Sequence, residues 1–146
     1  MSSTTTGAPD RAAIDHLLDT LHSSAANANL ESYFNCFSSD GRFLGTDPSE
    51  NWHVDDFRDY ARPAFDSGKG WTYASVKRMV NLYDNGIACF DEELTSARFG
   101  HARGTGTVRL EGSTWKILQY HLSFPIPNAM AETVTGMVRS HYCEIE

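Results

Sequence analysis

The chain has 146 residues, enough to bury a substantial core in one domain and too few for two ordinary ones. Its 40% hydrophobic and 21% charged residues are the composition of a folded globular protein rather than a disordered one. Twelve basic against nineteen acidic residues give a net charge of −7 with no local Lys/Arg cluster, which argues against nucleic acid as a partner.

Nor does any apolar run approach the length of a membrane span. Residues 1–10 lack the basic start and apolar stretch of a signal peptide. Cys36, Cys89 and Cys143 are widely spaced with no C-x-x-C pattern, so reduced thiols and a cytoplasmic location are expected.

Residues 1–9 are Ser/Thr-rich and polar and are expected to form a disordered lead to a domain spanning 10–138, with 139–146 as a tail. Asp10 is placed to cap a first helix, whose apolar stripe is Ile14, Leu17, Leu18, Leu21 and Ala25. Asn27-Ala28-Asn29 ends it, and Leu30, Tyr33, Phe34 and Phe37 repeat the spacing in a shorter second helix. A short strand over 42–45 follows Asp40-Gly41, then a loop to Trp52. Asp55 and Asp56 open the next helix at the positive end of its dipole. Phe57, Tyr60, Ala61, Ala64 and Phe65 are its expected buried face, Pro63 is expected to kink it, and Gly68 and Gly70 close it.

After Gly70 the period becomes two, as in strands. Asp84-Asn85-Gly86 is a hairpin signal, and a two-residue Asn85-Gly86 turn sets Asp84 opposite Ile87 and Arg78 opposite Glu93. One face then carries Met79, Asn81, Tyr83, Ala88, Phe90, Glu92 and Leu94; the other carries Val76, Val80, Leu82, Ile87 and Cys89. A second hairpin joins 100–110 to 115–124 through a turn at Glu111-Gly112 or Gly112-Ser113. Strict alternation puts Trp115, Ile117, Gln119, His121 and Ser123 on one face with Gly104, Gly106 and Val108. Asn128 is placed to cap a last helix whose inner side is Met130, Val134, Met137 and Val138. The order is that of an α+β domain, with helices laid over a sheet and a pocket between the layers.

Several segments carry a family resemblance: Asp40-Gly41 through Gly45-Thr46-Asp47, Trp52 ahead of Phe57 and Tyr60, Gly70-Trp71, and Phe90-Asp91-Glu92-Glu93-Leu94. Arg103-Gly104-Thr105-Gly106, Trp115-Lys116-Ile117 and the run from Gln119-Tyr120-His121 to Pro127-Asn128 complete the set. Over residues 10–138 the chain resembles the SnoaL-like branch of the nuclear transport factor 2-like superfamily. The resemblance implies a cone-shaped, curved antiparallel sheet wrapped around the N-terminal helices, as in cystatin-like architectures. It also implies a homodimer through the outer sheet face, where the apolar set from Val76 to Cys89 would be covered. The superfamily holds isomerases, dehydratases, epoxide hydrolases, cyclases and non-catalytic assembly domains, so the fold alone does not name an activity. The Tyr-plus-Asp set of ketosteroid isomerases finds no match here, and of the epoxide-hydrolase set only the residue types of Asp91 and Arg103 are present.

Two residues are the candidates for acid/base chemistry. Glu92 shares its expected face with Phe90 and Leu94, where desolvation raises a carboxyl's pKa; the plain alternative is a solvated or Arg-paired carboxylate. His121 lies opposite the small Gly104 and Gly106, which leave room for a ligand; the alternative is a core histidine bonded to a neighbour. Asn81 and Gln119 are candidates to orient a ligand carbonyl. Tyr33, Trp52, Tyr60, Trp71, Phe90 and Arg103 complete the expected lining, although such residues more often form plain core. No spacing of the six histidines or of the cysteines fits a metal site, and no nucleophile elbow or phosphate loop is present, so no cofactor is expected. The expected ligand is a small hydrophobic molecule. Cofactor-independent isomerisation, dehydration or cyclisation is set against a non-catalytic binding or assembly role.

Overall fold

In the computed structural model, which describes residues 7–145, three helices cover one face of a six-stranded sheet. Helix α1 (Gly7–Ala26) buries Ile14, Leu18, Leu21 and Ala25, the stripe that its periodicity predicts. It begins ahead of Asp10, so residues 7–9 are helical rather than part of a disordered lead; the rest of that expected lead lies outside the described residues. Asp10 does not cap the helix but accepts a hydrogen bond from Trp115 Nε1 at 3.1 Å. Helix α2 (Leu30–Asn35) is capped by Asn29, whose side chain accepts from the Ser32 N–H, a contact that typically stabilises by about 1 kcal/mol. Helix α3 (Val54–Asp66) has the His53 side chain as its cap and Asp55 and Asp56 in its first turn, and it buries Phe57, Ala61 and Phe65.

Strands β1 (Phe37–Leu44), β2 (Asn51–His53), β3 (Ala74–Tyr83), β4 (Ile87–Ser96), β5 (Gly100–Glu111) and β6 (Thr114–Ser123) lie in the order β2-β1-β6-β5-β4-β3. The sheet is curved, unclosed and mixed rather than wholly antiparallel, because β1 and β6 run parallel. That pairing arises because the β3-to-β6 meander returns its last strand beside β1 in the same direction. Trp52, expected at the end of a loop, lies in β2 and pairs with Phe43.

Two local features change which side chains face the helices. The β3–β4 loop contains Asp84, Asn85 and Gly86, and Tyr83 rather than Asp84 stands opposite Ile87. Asn85 and Gly86 take the left-handed conformation that the sequence predicts, with φ of 68° and 70°, but the loop is one residue longer than a two-residue turn. A shift of one residue exchanges the faces of a strand. Arg78, Val80 and Leu82 therefore join Ala88, Phe90, Glu92 and Leu94 on the helix side, and Arg78 pairs with Glu92 instead of Glu93. Met79, Asn81 and Tyr83 turn outward with Ile87 and Cys89, while Val76 occupies an exposed bulge between Ser75 and Lys77. The expected apolar set of Val76, Val80, Leu82, Ile87 and Cys89 is consequently not one surface.

The β5–β6 hairpin turns at Gly112-Ser113 and carries a second bulge: Thr107 pairs with Gln119, yet Val108 pairs with Ile117, leaving Leu118 as the extra residue. Trp115 and Ile117 point inward as expected; beyond the bulge Tyr120 and Leu122 do so, in place of Gln119 and His121. After a 3₁₀ turn (Asn128–Met130), helix α4 (Ala131–Ile145) takes in most of the expected tail. None of its described residues is buried, so Met130, Val134, Met137 and Val138 do not form an inner side within this chain. Among the described residues no helix is long and apolar enough to cross a membrane, and the three cysteines are unpaired.

Candidate functional site

Among the described residues Glu92 is the one charged residue that is buried, and its carboxylate is fully so. A buried carboxylate without partners is strongly disfavoured, and here each oxygen has them. His22 Nε2 lies 2.5 Å from Oε1, Tyr120 donates its hydroxyl to the same oxygen at 2.8 Å, and Arg78 Nε donates to Oε2 at 2.8 Å. Arg78, almost fully buried itself, continues outward to Asp15 at 3.2 Å and Asp19 at 3.0 Å on α1. Burial pushes the Glu92 pKa up, but the hydrogen bond and charge of His22, the charge of Arg78 and the Tyr120 hydroxyl outweigh it and hold the carboxyl below its ordinary value. The Tyr120 phenol is pushed well above its ordinary value, first by burial and then by the adjacent carboxylate.

Local sequence explains this convergence. His22 sits one turn after Leu18 on the buried side of α1 and reaches the sheet between Leu21 and Ala25. Gly104 stands beside Glu92 on β5, and a Cβ there would lie 2.0 Å from the Tyr120 hydroxyl. At Gly106 a Cβ would lie 2.0 Å from the Gln119 carbonyl oxygen and 2.8 Å from the Phe90 ring. The space that these glycines leave is thus taken by Tyr120, Phe90 and the bulged strand, not left for a ligand.

Beside this floor lies a cavity of about 170 Å³ lined by Phe43, Phe57, Tyr60, Trp71, Tyr73 and Leu122, with Gly45, Thr46 and Glu50 at one side. An adjoining space of about 20 Å³ reaches His22, Tyr33, Leu94 and Tyr120. Phe43, Trp71, Tyr73 and Leu122 line both. The larger cavity matches one substituted ring in size, since about 150 Å³ suffices for benzene, and the smaller has room for one water-sized group. Tyr60 stacks on Trp52 at 5.0 Å, and Trp52 Nε1 is buried without a hydrogen-bond partner among the described residues.

Residues 14–127 match the family model of the SnoaL-like domain. This chain belongs to the SnoaL-like domain family. No curated protein matches it. Among solved structures it is similar to a proposed scytalone dehydratase of Novosphingobium aromaticivorans, with 13% identity over 84% of this chain and 89% of that one at a TM-score of 0.72. It is also similar to a proposed aromatic ring hydroxylase of the same organism (18% identity, 82% and 91% covered, TM-score 0.68). A third is a protein of unknown function from Mycobacterium tuberculosis (14% identity, 89% and 80% covered, TM-score 0.73). At these identities the likeness establishes the cystatin-like, nuclear transport factor 2-like fold.

Within this SnoaL-like domain the sequence candidates divide by face. Glu92, Phe90, Tyr33 and Trp71 are on the helix side; Tyr60 lines the cavity although it is 58% exposed, and Trp52 lies behind it. Phe90 packs against Tyr120 at 5.7 Å as core. His121 lies outward between the inward Tyr120 and Leu122, beside Leu44 and Thr105, so it does not meet Glu92. Gln119, Asn81 and Arg103 are exposed on that outer face as well. The residues that sequence reasoning missed are His22, Tyr120 and Arg78. Only His22 carried a signal: an imidazole directly following Leu21 within the apolar stripe of α1.

Proposed function

We propose that this SnoaL-like domain binds a small, largely apolar molecule of single-ring size in the aromatic cavity and moves a proton on it with His22, without a cofactor. The observation carrying this reading is the 2.5 Å contact between His22 Nε2 and Glu92 at the wall of the space that adjoins the cavity. A carboxylate bonded to one imidazole nitrogen orients the ring, leaving Nδ1 to exchange a proton with a ligand. In that step Nδ1 takes a proton from a ligand C–H, and the electron pair moves into the ligand's adjacent π-system. Return of the proton elsewhere on the ligand completes an isomerisation; its delivery to a departing hydroxyl completes a dehydration. Glu92 stays ionised throughout, because Arg78 compensates its charge. Acting this way, Glu92 is a positioning residue.

Isotope exchange tests the step whatever the final product is. A panel of phenols, cyclohexenones and related single-ring compounds is screened by thermal shift and ligand-observed NMR, and binders are then incubated with the protein in D₂O. Deuterium should enter an acidic C–H position in wild type, and His22→Gln should bind but not exchange. Binding with exchange no faster than in buffer removes the proton-transfer part of the reading and leaves a binding domain.

A second reading, assembly, is favoured by α4. Met137 is 68% exposed and Val138 48% exposed, and a helix of this length is marginal in water unless its apolar stripe is packed. A second copy presenting the exposed Met79 and Tyr83 of its outer sheet face is the partner we propose, giving a homodimer. Light scattering at micromolar concentration should return twice the chain mass, and Met137→Glu should halve it; a wild-type monomer overturns the dimer. The free thiols of Cys36, Cys89 and Cys143 support the cytoplasm as the compartment.

A further inference from the structure

We propose that the aromatic cavity selects a ligand bearing an alkylated, positively charged nitrogen; this rests on the reading of the cavity as a small-molecule site, not on the proton-transfer step. Five of its nine lining residues are aromatic (Phe43, Phe57, Tyr60, Trp71 and Tyr73), and the one charged residue among the nine is Glu50. Electron-rich rings attract an organic cation, and a carboxylate at the rim supplies its counter-charge. An anionic ligand would find no cationic side chain in the lining, in a chain whose net charge is already −7.

The position of Glu50 is built rather than incidental. The Gly45 N–H donates to the Glu50 carbonyl at 2.8 Å, and the Glu50 N–H donates to the Asp47 carbonyl at 2.9 Å, so the loop from β1 to β2 folds back on itself. Glu50 Oε1 accepts the Asp47 N–H at 3.0 Å. A Cβ on Gly45 would lie 2.8 Å from the Glu50 carboxyl carbon and from Oε2, yet Gly45 does not have a left-handed backbone. The absence of a side chain at Gly45 leaves the space that the Glu50 carboxyl group occupies beside the cavity. Among the described residues no cation pairs with Glu50, unlike Glu31, Asp40, Glu92 and Glu111, each of which has an arginine.

The charge of Glu50 reaches the cavity wall. Burial raises the pKa of the Tyr73 phenol, Arg98 opposes the rise, and Glu50 adds to it. Arg98, whose charge acts on Tyr73 more strongly than that of Glu50, does not line the cavity; its guanidinium stands 4.8 Å from the centre of the Phe99 ring. The lining therefore offers an incoming ammonium several rings and one carboxylate without an ion pair among the described residues, within a volume of about 170 Å³ that accommodates a trialkylated head and a short stem.

An isosteric pair of probes isolates the charge. Choline and 3,3-dimethyl-1-butanol have the same shape, and only the first is a cation; affinities are measured by ligand-observed NMR, with Trp fluorescence as a second readout. Choline should bind about tenfold more tightly than the alcohol, the size of preference that cation–π attraction supports. Glu50→Gln should lower choline affinity several-fold and leave the alcohol unchanged, and Tyr73→Leu should weaken choline more than the alcohol. Equal binding of the pair, or tighter binding of the alcohol, overturns the cation preference while leaving the cavity as a ligand site. A choline preference that survives both substitutions overturns it too, because the cation is then bound elsewhere. If neither probe binds but neutral ring compounds from the panel do, the cation inference fails alone; if nothing binds, the small-molecule reading fails with it.

Discussion

Glu92 and Glu93 are adjacent in β4 and live in different physical worlds. Glu92 faces the helices with its carboxylate fully buried, fixed by Arg78, His22 and Tyr120. Glu93 points away, exposed, between Lys77 on β3 and Arg103 on β5, without an ion pair among the described residues. The histidines repeat the contrast: His22 is locked against Glu92, whereas His121 stands on the outer face beside Thr105. Residue type is the same on both sides of the sheet. What differs is the loss of water on one side, which makes each partner of a charge expensive to remove there and nearly dispensable opposite.

The sharpest test of this contrast is Arg78→Met, which strips Glu92 of its guanidinium and should destabilise by about 3–5 kcal/mol in chemical denaturation. Glu93→Gln, made one residue away on the outer face, should stay within about 0.5 kcal/mol of wild type. Similar losses in the two variants would break the comparison. Gly104→Ala comes next. Its new methyl group competes with the Tyr120 hydroxyl for one place and should cost about 1–3 kcal/mol, with tyrosine fluorescence reporting the displaced ring.

Acid provides a third, smaller handle. Because the Glu92 carboxyl is held below its ordinary value of 4.5, the stability it contributes is fully present above pH 4.5 and is lost as pH falls through the lower, folded-state value. Glu92→Gln should be less stable at neutral pH yet lose less on acidification below pH 4.5, whereas Glu93→Gln should follow the wild-type curve. Parallel curves for Glu92→Gln and wild type would mean that the carboxyl is not depressed. The smallest expected effect is that of His121→Gln, within about 0.5 kcal/mol and without consequence for ligand-induced thermal shifts, as befits an outer-face side chain. A clear loss of ligand response would bring His121 back into the site.

Much of the architecture is legible in the sequence because it follows from periodicity. The stripe Ile14-Leu18-Leu21-Ala25, the short second helix after Asn29 and the two hairpins stand where spacing predicts them. The site is less legible because it depends on parity, which a single residue reverses. Adding Asp84 to the β3–β4 loop moves Arg78 from Glu93 to Glu92 and turns Asn81 outward. Leu118, bulged from β6, exchanges His121 for Tyr120. Neither feature has a strong local signature, since Asn85-Gly86 serves a two-residue or a three-residue connection and Leu118 sits in an otherwise regular strand. Glu92 is correctly placed on the inner face because β4 contains no bulge and alternates without interruption. Its partner His22 escapes notice because a histidine within a helical stripe reads as packing.

The parallel pairing of β1 with β6 has a consequence for the order in which the molecule can assemble. β6 is the single strand that connects the β2-β1 pair to the β5-β4-β3 ladder. Until residues 114–123 have been synthesised, the nascent chain holds two unconnected groups of strands, and Phe43, Phe57 and Tyr33 have no Ile117 or Tyr120 to close over them. Contacts between segments so distant in the chain form slowly, since the intervening loop must first be closed. A ribosome stalled just short of β6 would therefore display an aromatic-rich half-core and an open strand edge, the state in which this chain is most in need of a chaperone.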